Sequence, residues 1–367
     1  MNIAGFKLCR KTYSVSLFAA LLFGGCSSIT AVAGSHAQQL TLSASSVSYS
    51  LYAFPETDKS VTPLYALVNG AQKTIDMTMY ELQDTIFSGD LVAACTRGVK
   101  VRVILSSSEP TSNQPAYTQL NTVGSNCSAV LSNTAFTNTH QKTITIDGAT
   151  TAILSLNLQT QYYSTTRDFA MVENDPVDIA AIEATFNMDY AAGTPYNGTQ
   201  GASDFSYQPG AGTDLIWSPT TAQADMLALI NNATKTLLIE NEEMSASNIV
   251  AALETACSTR HVTVQIAMAE DSTKAPYSEY STEWTALEAA GCGVHVYPDT
   301  TTGLYIHAKA VVADFGLPTQ NAYMGSINYS TASMTKNREL GMYISDAASI
   351  QTLNTTMTAD YNGGTAY

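Results

Sequence analysis

His140-Gln-Lys-Thr-Ile-Thr-Ile-Asp147 and His307-Ala-Lys-Ala-Val-Val-Ala-Asp314 are the two stretches that decide how this chain folds. Both follow the pattern HxKxxxxD, and the second begins 167 residues after the first. The β-branched and apolar residues after each Lys predict a short strand. Because side chains alternate along a strand, the His and Lys of each motif are expected to project from the same face.

The sequence around the two motifs is also repeated. Asn69–Tyr80 corresponds to Asn231–Glu242, and each has the pattern of a helix end that runs into a buried strand. A helix pattern, a β-branched strand and a second helix pattern follow in both halves. Strand patterns that alternate with helix patterns of this length predict an α/β fold, with helices covering a sheet. We therefore expect two similar domains in tandem.

The composition between the halves indicates where one domain ends. Residues 191–212 hold five glycines and two prolines without a sustained period, which is typical of a linker or a long surface crossover. We accordingly assign the N-terminal domain to residues 38–190 and the C-terminal domain to residues 213–367.

Residues 1–37 have the pattern of a signal segment. Three basic residues precede an apolar run, Tyr13–Phe23, which is too short to serve as a permanent membrane anchor. Two cleavage interpretations remain open. A lipobox ending at Cys26 would leave this residue lipid-anchored, whereas an ordinary signal peptidase would cut near Ala33 or Ala37. Either way, we expect an exported protein, secreted or periplasmic.

Composition and charge exclude several classes of protein. With 45% hydrophobic residues, the chain is too apolar to be disordered, and it lacks the series of apolar 20-residue stretches of a multi-span membrane protein. It has 16 Lys and Arg against 31 Asp and Glu, and three of the basic residues lie in the signal segment. Binding to a nucleic-acid backbone depends on Lys and Arg, so nucleic acid is not an expected partner.

Four cysteines remain after the signal segment, in matched settings. Cys95 and Cys257 each end an amphipathic stretch. Cys127 and Cys292 each precede a short apolar strand pattern. In an oxidising compartment these settings favour one disulfide per half, Cys95–Cys127 and Cys257–Cys292. A metal site is the alternative for four thiols, but no CxxC spacing occurs, so no metal is expected.

Further polar residues follow each motif in the same order, after a four-residue insertion between Asp314 and Ser326 in the second half. Ser155-Leu-Asn157 corresponds to Ser326-Ile-Asn328, and Arg167-Asp168 corresponds to Arg338-Glu339, in each case 171 residues later. Two HxKxxxxD motifs, each followed by SxN, resemble the signature of the phospholipase D superfamily. The resemblance covers about Tyr52 to Asp360. It implies two homologous domains, each a mixed sheet flanked by helices, packed as a pseudo-dimer around one active site.

The residue types themselves suit phosphoryl chemistry. An imidazole can attack phosphorus while a neighbouring ammonium neutralises the phosphate oxygens, a task shared by Lys142 and Lys309. Asn157 and Asn328 add amide donors to the same oxygens. Since these four groups stabilise the charge, neither a metal nor another cofactor is required.

Two histidines on opposite sides of one phosphorus provide an in-line displacement. One attacks to give a phosphohistidine, and the other protonates the leaving alcohol and then deprotonates the incoming water or alcohol. The resemblance assigns His140 as the nucleophile and His307 as the general acid.

The resemblance also implies that Asp168 and Glu339 lie behind the histidines. We expect Asp168 to orient His140, and Glu339 to orient His307, through the far ring nitrogen.

Other residues near the motifs are given supporting roles. Strand alternation points Asp147 and Asp314 to the opposite face from the motif Lys, so we interpret them as structural. Ser155 and Ser326 receive the same interpretation. Leu154, which stands where the second half has Gly325, could narrow the contact of the first half with a phosphate. Strands are expected to approach the pocket at Tyr80, Glu81 and Glu243. Beside the SxN motifs, an acyl chain or headgroup could contact Tyr162, Tyr163 and Tyr329.

The substrate is the least constrained part of the interpretation, because one fold serves lipid and nucleic-acid diesters alike. Export, the acidic surface and 20 tyrosines favour a phospholipase D that hydrolyses glycerophospholipids to phosphatidic acid and free headgroup. A cardiolipin-synthase-like phosphatidyl transferase and an exported nuclease are the alternatives. The expected partners are phospholipid at a membrane surface and a water or alcohol acceptor, with the protein acting as a monomer. A non-enzymatic binding module is disfavoured because both motifs are intact.

Overall fold

The computed structural model of this protein describes residues 46–55, 61–203, 205–270, 280–298 and 303–367. The predicted signal segment, with Cys26 and both candidate cleavage sites, lies outside these residues. Within the described ranges, no helix combines the length and the apolar character needed to cross a membrane.

The first half builds a mixed sheet with the strand order β1-β7-β6-β5-β2-β3-β4-β8. The strands β2, β3 and β4 run parallel to one another, and the other neighbours in this order are antiparallel. Its elements, in chain order, are β1 (Tyr49–Phe54), α1 (Thr62–Gly70), β2 (Thr74–Met79), α2 (Thr85–Thr96), β3 (Lys100–Leu105), α3 (Pro110–Thr122), β4 (Cys127–Leu131), β5 (Thr143–Ile146), β6 (Thr150–Leu154), β7 (Thr166–Glu173), α4 (Pro176–Ala192) and β8 (Thr194–Pro195).

The second half builds a sheet with the order β17-β12-β11-β10-β14-β15-β16-β9. Read from β9, this order matches the first sheet strand for strand, and β10, β11 and β12 are its parallel strands. The predicted α/β fold, with two domains that each contain a mixed sheet flanked by helices, is therefore confirmed. Its elements, in chain order, are β9 (Leu215–Ser218), α5 (Ala222–Asn232), β10 (Thr236–Glu240), α6 (Ser247–Ser258), β11 (Thr263–Ala269), α7 (Ser281–Ala289), β12 (Gly293–Tyr297), β13 (Tyr305–Ile306), β14 (Ala310–Ala313), β15 (Asn321–Gly325), α8 (Thr331–Thr335), β16 (Glu339–Ile344), α9 (Ala347–Gly363) and β17 (Thr365–Ala366).

Local sequence explains where two of the helices, α2 and α4, begin. Asp84 precedes α2 and accepts hydrogen bonds from the backbone N–H groups of Ile86 and Phe87, at 2.9 and 3.0 Å. Asp175 does the same for α4, and proline stands in the first turn of that helix. Side-chain caps satisfy N–H groups that have no partner inside the helix, and proline is tolerated there because its missing N–H is not needed.

The two halves share an apolar core between their sheets. It combines Phe169 and Met171 of β7 with Trp217 of β9 and Leu353 of α9, all fully buried. Burial of a side chain of this size contributes about 1.5–3 kcal/mol relative to its exposure to water. The core therefore fixes one half against the other and makes a site built from both halves rigid.

Backbone pairing also crosses from one half to the other. β13 of the second half pairs in parallel with Thr166 and Arg167 at the start of β7, and so extends the first sheet. An isolated parallel bridge joins Thr139 of the first half to Arg338 of the second. Each crossing lies immediately before a motif histidine.

The disulfide prediction is confirmed. Cys95 in the last turn of α2 is bonded to Cys127 at the start of β4, with a Cα–Cα distance of 5.6 Å. Cys257 in α6 is bonded to Cys292, just before β12, with a Cα–Cα distance of 5.5 Å. Both distances are usual for a disulfide. Two bonds at matching places indicate an oxidising environment, as expected for an exported protein.

Removing one disulfide should lower the free energy of unfolding by about 3–4 kcal/mol, since the bond restricts the unfolded chain. Cys95 and Cys127 lie 32 residues apart in the sequence, and the variant replaces both with Ala. Chemical denaturation measures the loss. The Cys257 and Cys292 pair, separated by 35 residues, is the matched comparison and should lose a similar amount. A loss below about 1 kcal/mol in either variant would contradict the loop-entropy argument.

Candidate active site

The His and Lys of each motif lie just before a strand and not within it, which corrects the expectation from the sequence. β5 begins at Thr143 and β14 at Ala310. The cause is a change of backbone partner. The N–H groups of His140 and Gln141 both donate to the carbonyl oxygen of Arg338, at 2.9 Å, so the chain here bonds to the other half of the molecule.

The carboxylates behind the histidines are exchanged between the halves. His140 Nδ1 lies 2.9 Å from Glu339 Oε2, and His307 Nδ1 lies 2.8 Å from Asp168 Oδ1. The expectation that Asp168 orients His140 and Glu339 orients His307 was therefore wrong. Each histidine is oriented by an acid from the other half.

The crossing backbone pairs cause this exchange. Ile306 pairs with Arg167, which brings the next residue of each segment, His307 and Asp168, side by side. The bridge between Thr139 and Arg338 does the same for the residues that follow them, His140 and Glu339. Neither half contains a complete histidine–carboxylate pair, so the site exists only when both halves are folded together.

Both carboxylates are held by further hydrogen bonds. Ser155 Oγ donates to Asp168 Oδ1 at 2.6 Å. Glu339 Oε1 accepts from the hydroxyl of Ser333, and from Asn337 Nδ2 at 2.9 Å. With Nδ1 of each histidine facing a carboxylate, Nε2 is the ring nitrogen that remains for chemistry.

The two motif lysines are fully buried and differ in their surroundings. Lys142 Nζ donates to the carbonyl oxygen of His140 at 2.7 Å and lies 5.2 Å from the centre of the Tyr80 ring. Lys309 Nζ also contacts the carbonyl oxygen of its own motif histidine, and it forms an ion pair with Glu242 Oε2 at 2.7 Å. One half thus presents its ammonium beside an aromatic ring, and the other presents it to a carboxylate.

The SxN asparagines point their amides into the same region. Asn328 Nδ2 donates to Glu242 Oε2 at 3.2 Å and to Glu243 Oε1 at 3.1 Å. The side-chain oxygens of Asn157 and Asn328 are buried and have no hydrogen-bond partner among the described residues.

Ser326 lies beside His140, whereas the motif aspartates lie elsewhere in the structure. Ser326 Oγ donates to the carbonyl oxygen of Leu340, and the Ser326 carbonyl oxygen lies 3.2 Å from His140 Nδ1. Asp147 accepts from the backbone N–H groups of residues 72–74, and Asp314 from those of residues 234–236, each at the start of a strand. These bonds tie a strand end to the preceding strand, away from the histidines.

Leu154, which stands where the second half has Gly325, does not reach the pocket in the described structure. Leu154 is fully buried in the core of the first half. Gly325, its counterpart, lies so close to Gly341 that an added Cβ would come within 2.3 Å of that residue's Cα. The second half needs glycine because two strands approach closely there, and the difference concerns packing.

One cavity of about 710 Å³ lies between the halves and is lined by both motif histidines. Its acidic lining residues include Glu81, Glu242 and Glu243, and among the described residues that line it there is no Lys or Arg. Of the four tyrosines singled out above, Tyr80, Tyr162 and Tyr163 reach the lining, and Tyr305 does so as well. Tyr329 is fully buried elsewhere.

Burial and neighbouring charges shift the pKa values of His140, Lys142 and Glu339. Burial and the neighbouring charge of Lys142 lower the pKa of His140 from its usual value of 6.5. Burial and the charge of Lys309 lower the pKa of Lys142 to about 7. Burial alone raises the pKa of Glu339, but His140 and Lys142 outweigh it, and the net pKa is lowered. The site therefore combines a neutral imidazole, an ionised carboxylate and a lysine that titrates near neutrality.

The sequence analysis missed three residues of the site. Ser333 and Asn337 hold Glu339, and Glu242 contacts Lys309 and Asn328. A signal for Glu242 was present, since it occupies the repeat position of Tyr80, which was singled out.

Within the described ranges, no group of three or more His, Cys, Asp or Glu side chains is placed to hold a metal ion.

Two solved structures resemble the chain over most of its length. A polyphosphate kinase from Porphyromonas gingivalis has a TM-score of 0.61 at 13% identity, covering 85% of this chain and 50% of the kinase. The phosphatidylserine synthase of Haemophilus influenzae Rd KW20 has a TM-score of 0.61 at 14% identity, covering 82% of this chain and 83% of the synthase. The chain thus spans half of the kinase and most of the synthase. At these identities the likeness shows the fold.

A third structure matches less than half of the chain and is matched over 99% of its own length. Nuc from Salmonella typhimurium, described as a phospholipase D family member, covers 41% of this chain at 21% identity, with a TM-score of 0.38.

No curated protein matches the sequence. A family model described as "Cardiolipin synthase, PLD-like domain" matches residues 64–190 and 226–361, and each matched range contains one HxKxxxxD motif. The chain therefore belongs to this family of PLD-like domains, within the phospholipase D superfamily.

Proposed function

We propose that this protein is a phospholipase D that hydrolyses glycerophospholipids to phosphatidic acid and a free headgroup through a covalent phosphohistidine. The observation that carries the proposal is the pair of histidines in one cavity, each with Nδ1 against a carboxylate. A carboxylate at Nδ1 selects the tautomer and stabilises the imidazolium that forms when Nε2 reacts.

In the proposed first step, His140 Nε2 attacks phosphorus and the bond from phosphorus to the headgroup oxygen breaks. His307 Nε2 gives its proton to that oxygen as the alcohol leaves. The lowered pKa of His140 supports its assignment as the nucleophile, because an attacking imidazole must be neutral. Lys142, Lys309, Asn157 and Asn328 are the groups proposed to stabilise the phosphate oxygens.

In the proposed second step, His307 removes a proton from water, and the water oxygen attacks phosphorus. The P–N bond breaks, phosphatidic acid leaves, and both histidines regain their starting states. If an alcohol takes the place of water, the same step gives a phosphatidyl alcohol. Hydrolysis and transfer thus share one intermediate.

Lipid is proposed over nucleic acid because of the charge around the site. In the part of the lining that the structure describes, no residue is Lys or Arg, and the whole chain has a formal charge of −15. A polyanionic strand requires basic contacts along its backbone, whereas a phospholipid brings one phosphodiester. We propose that the protein meets this lipid at a membrane surface as a monomer, since its own two halves complete the site.

Phosphatidyl transfer is the second candidate. It is favoured by the family description and by the likeness in fold to a phosphatidylserine synthase. The cavity of about 710 Å³ also has room for an alcohol beside a headgroup.

The deciding experiment incubates the purified exported protein with mixed phospholipid vesicles, EDTA and ethanol, followed by mass spectrometry of the lipids. Hydrolysis through a covalent intermediate should give phosphatidic acid together with phosphatidylethanol. A phosphatidyl alcohol without phosphatidic acid would favour the transferase. If neither product forms and the same protein cleaves single-stranded DNA, the lipid proposal is wrong. If activity requires a divalent ion that EDTA removes, the metal-independent mechanism is wrong.

The pH dependence of kcat/KM should be bell-shaped, with its basic limb near pH 7. This ratio reports the ionisations of the free enzyme. Activity should fall above pH 7 because Lys142, with a pKa of about 7, loses the proton that neutralises the phosphate. It should fall on the acid side only below pH 6.5, because the lowered pKa of His140 keeps that imidazole neutral to lower pH.

Rates on a soluble short-chain phospholipid between pH 4.5 and 9.5 measure both limbs. In the variant Lys142→Arg the basic limb should move upward, because a guanidinium stays protonated throughout this range. A wild-type profile that remains flat from pH 7 to 9 would rule out Lys142 as the titrating group.

A further inference from the structure

Glu242 occupies the place where the second half would hold a phosphate oxygen. Its Oε2 atom lies 2.7 Å from Lys309 Nζ, 3.2 Å from Asn328 Nδ2 and 3.6 Å from His307 Nε2. These are the three second-half groups to which the proposed mechanism assigns contacts with the reacting phosphate. A single carboxylate oxygen therefore fills the centre of this set of donors.

The other contacts of Glu242 hold the carboxylate in this position. Its Oε1 atom accepts from the hydroxyl of Tyr305 at 3.2 Å. Burial alone raises the pKa of Glu242, but the charges of Lys309 and His307 outweigh this effect and hold the pKa well below its usual range. Glu242 is therefore ionised near neutral pH, and its carboxylate presents a negative charge to Lys309 and Asn328.

In the described part of the first half, Lys142 has no carboxylate partner equivalent to Glu242. Tyr80 stands at the repeat position of Glu242, and its hydroxyl donates away from the motif, to Glu109 Oε1 at 2.8 Å. Its ring lies against His140, with centroids 4.7 Å apart, and 5.2 Å from Lys142 Nζ. The two halves thus differ at this repeat position, where the second half has a carboxylate and the first half has a tyrosine.

We propose that Glu242 is a specificity-determining residue that competes with phosphate for Lys309 and Asn328, and so excludes dianionic phosphates from the site. The identity of these donors rests on the proposed function. A phosphodiester carries one negative charge and gains further contacts along the cavity, so it can displace the carboxylate. Inorganic phosphate and phosphomonoesters carry up to two negative charges, so both Glu242 and Glu243 repel them. They lack the second ester group and therefore gain fewer contacts along the cavity to offset this repulsion. Phosphatidic acid, the monoester product, would be released for the same reason.

The test measures binding of inorganic phosphate at pH 7.5 by isothermal titration calorimetry, without any lipid. Wild type should bind phosphate weakly. Glu242→Gln keeps the shape of the side chain and removes its charge, so phosphate affinity should rise about tenfold or more, since like charges in close contact oppose binding. Glu81→Gln is the matched control. It removes the same charge from the same cavity, but Glu81 bonds to Gln83 and not to the second-half donors, so phosphate affinity should change less than about threefold.

Circular dichroism and thermal unfolding establish that each variant is folded. If Glu242→Gln does not fold, Glu242→Asp decides, because the shorter side chain keeps the charge but draws back from Lys309, and phosphate affinity should rise by an intermediate amount. A folded Glu242→Gln variant that binds phosphate no more tightly than wild type would overturn the proposal. So would an equal gain in Glu81→Gln, since that would reflect the general charge of the cavity.

A second readout separates this inference from the proposed function. Inhibition by short-chain phosphatidic acid should become about tenfold stronger in Glu242→Gln, with a smaller change in KM for the diester. If Glu242→Gln gains phosphate affinity while neither protein acts on phospholipid, the lipid substrate is wrong and the role of Glu242 stands. If lipid is hydrolysed but phosphate and product affinities do not change, the proposed function stands and the role of Glu242 is wrong.

Discussion

Replacing His307 with Ala should reduce hydrolysis of a natural phospholipid by about 10⁴-fold and yet leave formation of the covalent adduct possible. A headgroup alkoxide is a poor leaving group and needs the proton from His307. A 4-nitrophenyl ester does not, because 4-nitrophenolate leaves without protonation. With such an ester, the variant should release one equivalent of 4-nitrophenol in a burst and then stall, since His307 is also needed to activate water.

The matched variant is His140→Ala, which should release no burst with either substrate, because no nucleophile remains. Intact-protein mass spectrometry identifies the trapped adduct, and peptide mapping under neutral or basic conditions should locate it on His140. A burst from His140→Ala together with none from His307→Ala would reverse the two roles. If either variant kept more than about a tenth of wild-type turnover on phospholipid, the single shared site would be excluded, since residues that act as a unit lose nearly all activity singly.

Removing the carboxylate that orients the attacking histidine should slow the same burst by about 10²–10⁴-fold. In the His307→Ala background, adding Glu339→Gln should slow adduct formation by this factor, because Glu339 holds the Nδ1 of the attacking His140. Adding Asp168→Asn to that background should change the rate little, because its partner, His307, is already absent.

This comparison discriminates between the two possible pairings. Pairing within each half would give the opposite result, with Asp168→Asn slowing the burst and Glu339→Gln leaving it nearly unchanged. Thermal unfolding of each double variant separates a loss of orientation from a loss of fold. The conservative variant Glu339→Asp, which keeps a carboxylate, should recover part of the burst rate and so identify Glu339 as a positioning residue.

Much of the architecture could be predicted from sequence because it depends on local properties. Alternating strand and helix patterns, repeated in two halves, indicated the α/β fold, and the same order of strands appears in both sheets. The four cysteines were paired correctly because each stands at a matching end of a helix or strand. Asp147 was interpreted as structural from alternation alone, and in the structure it accepts backbone N–H groups at a strand end.

The motif residues of the candidate site could be recognised from the sequence, since His140, Lys142 and their counterparts are marked by residue type and spacing. Only the tertiary structure decided which acid serves which histidine. Asp168 and Glu339 each follow the motif of their own half, so the order of residues in the chain does not show whether the pairs form within a half or across halves. The backbone pairs that cross between the halves select the second arrangement, and they are contacts between residues distant in the chain. The position of Glu242 was decided in the same way, because its ion pair with Lys309 joins segments 67 residues apart that meet only when the second sheet has formed.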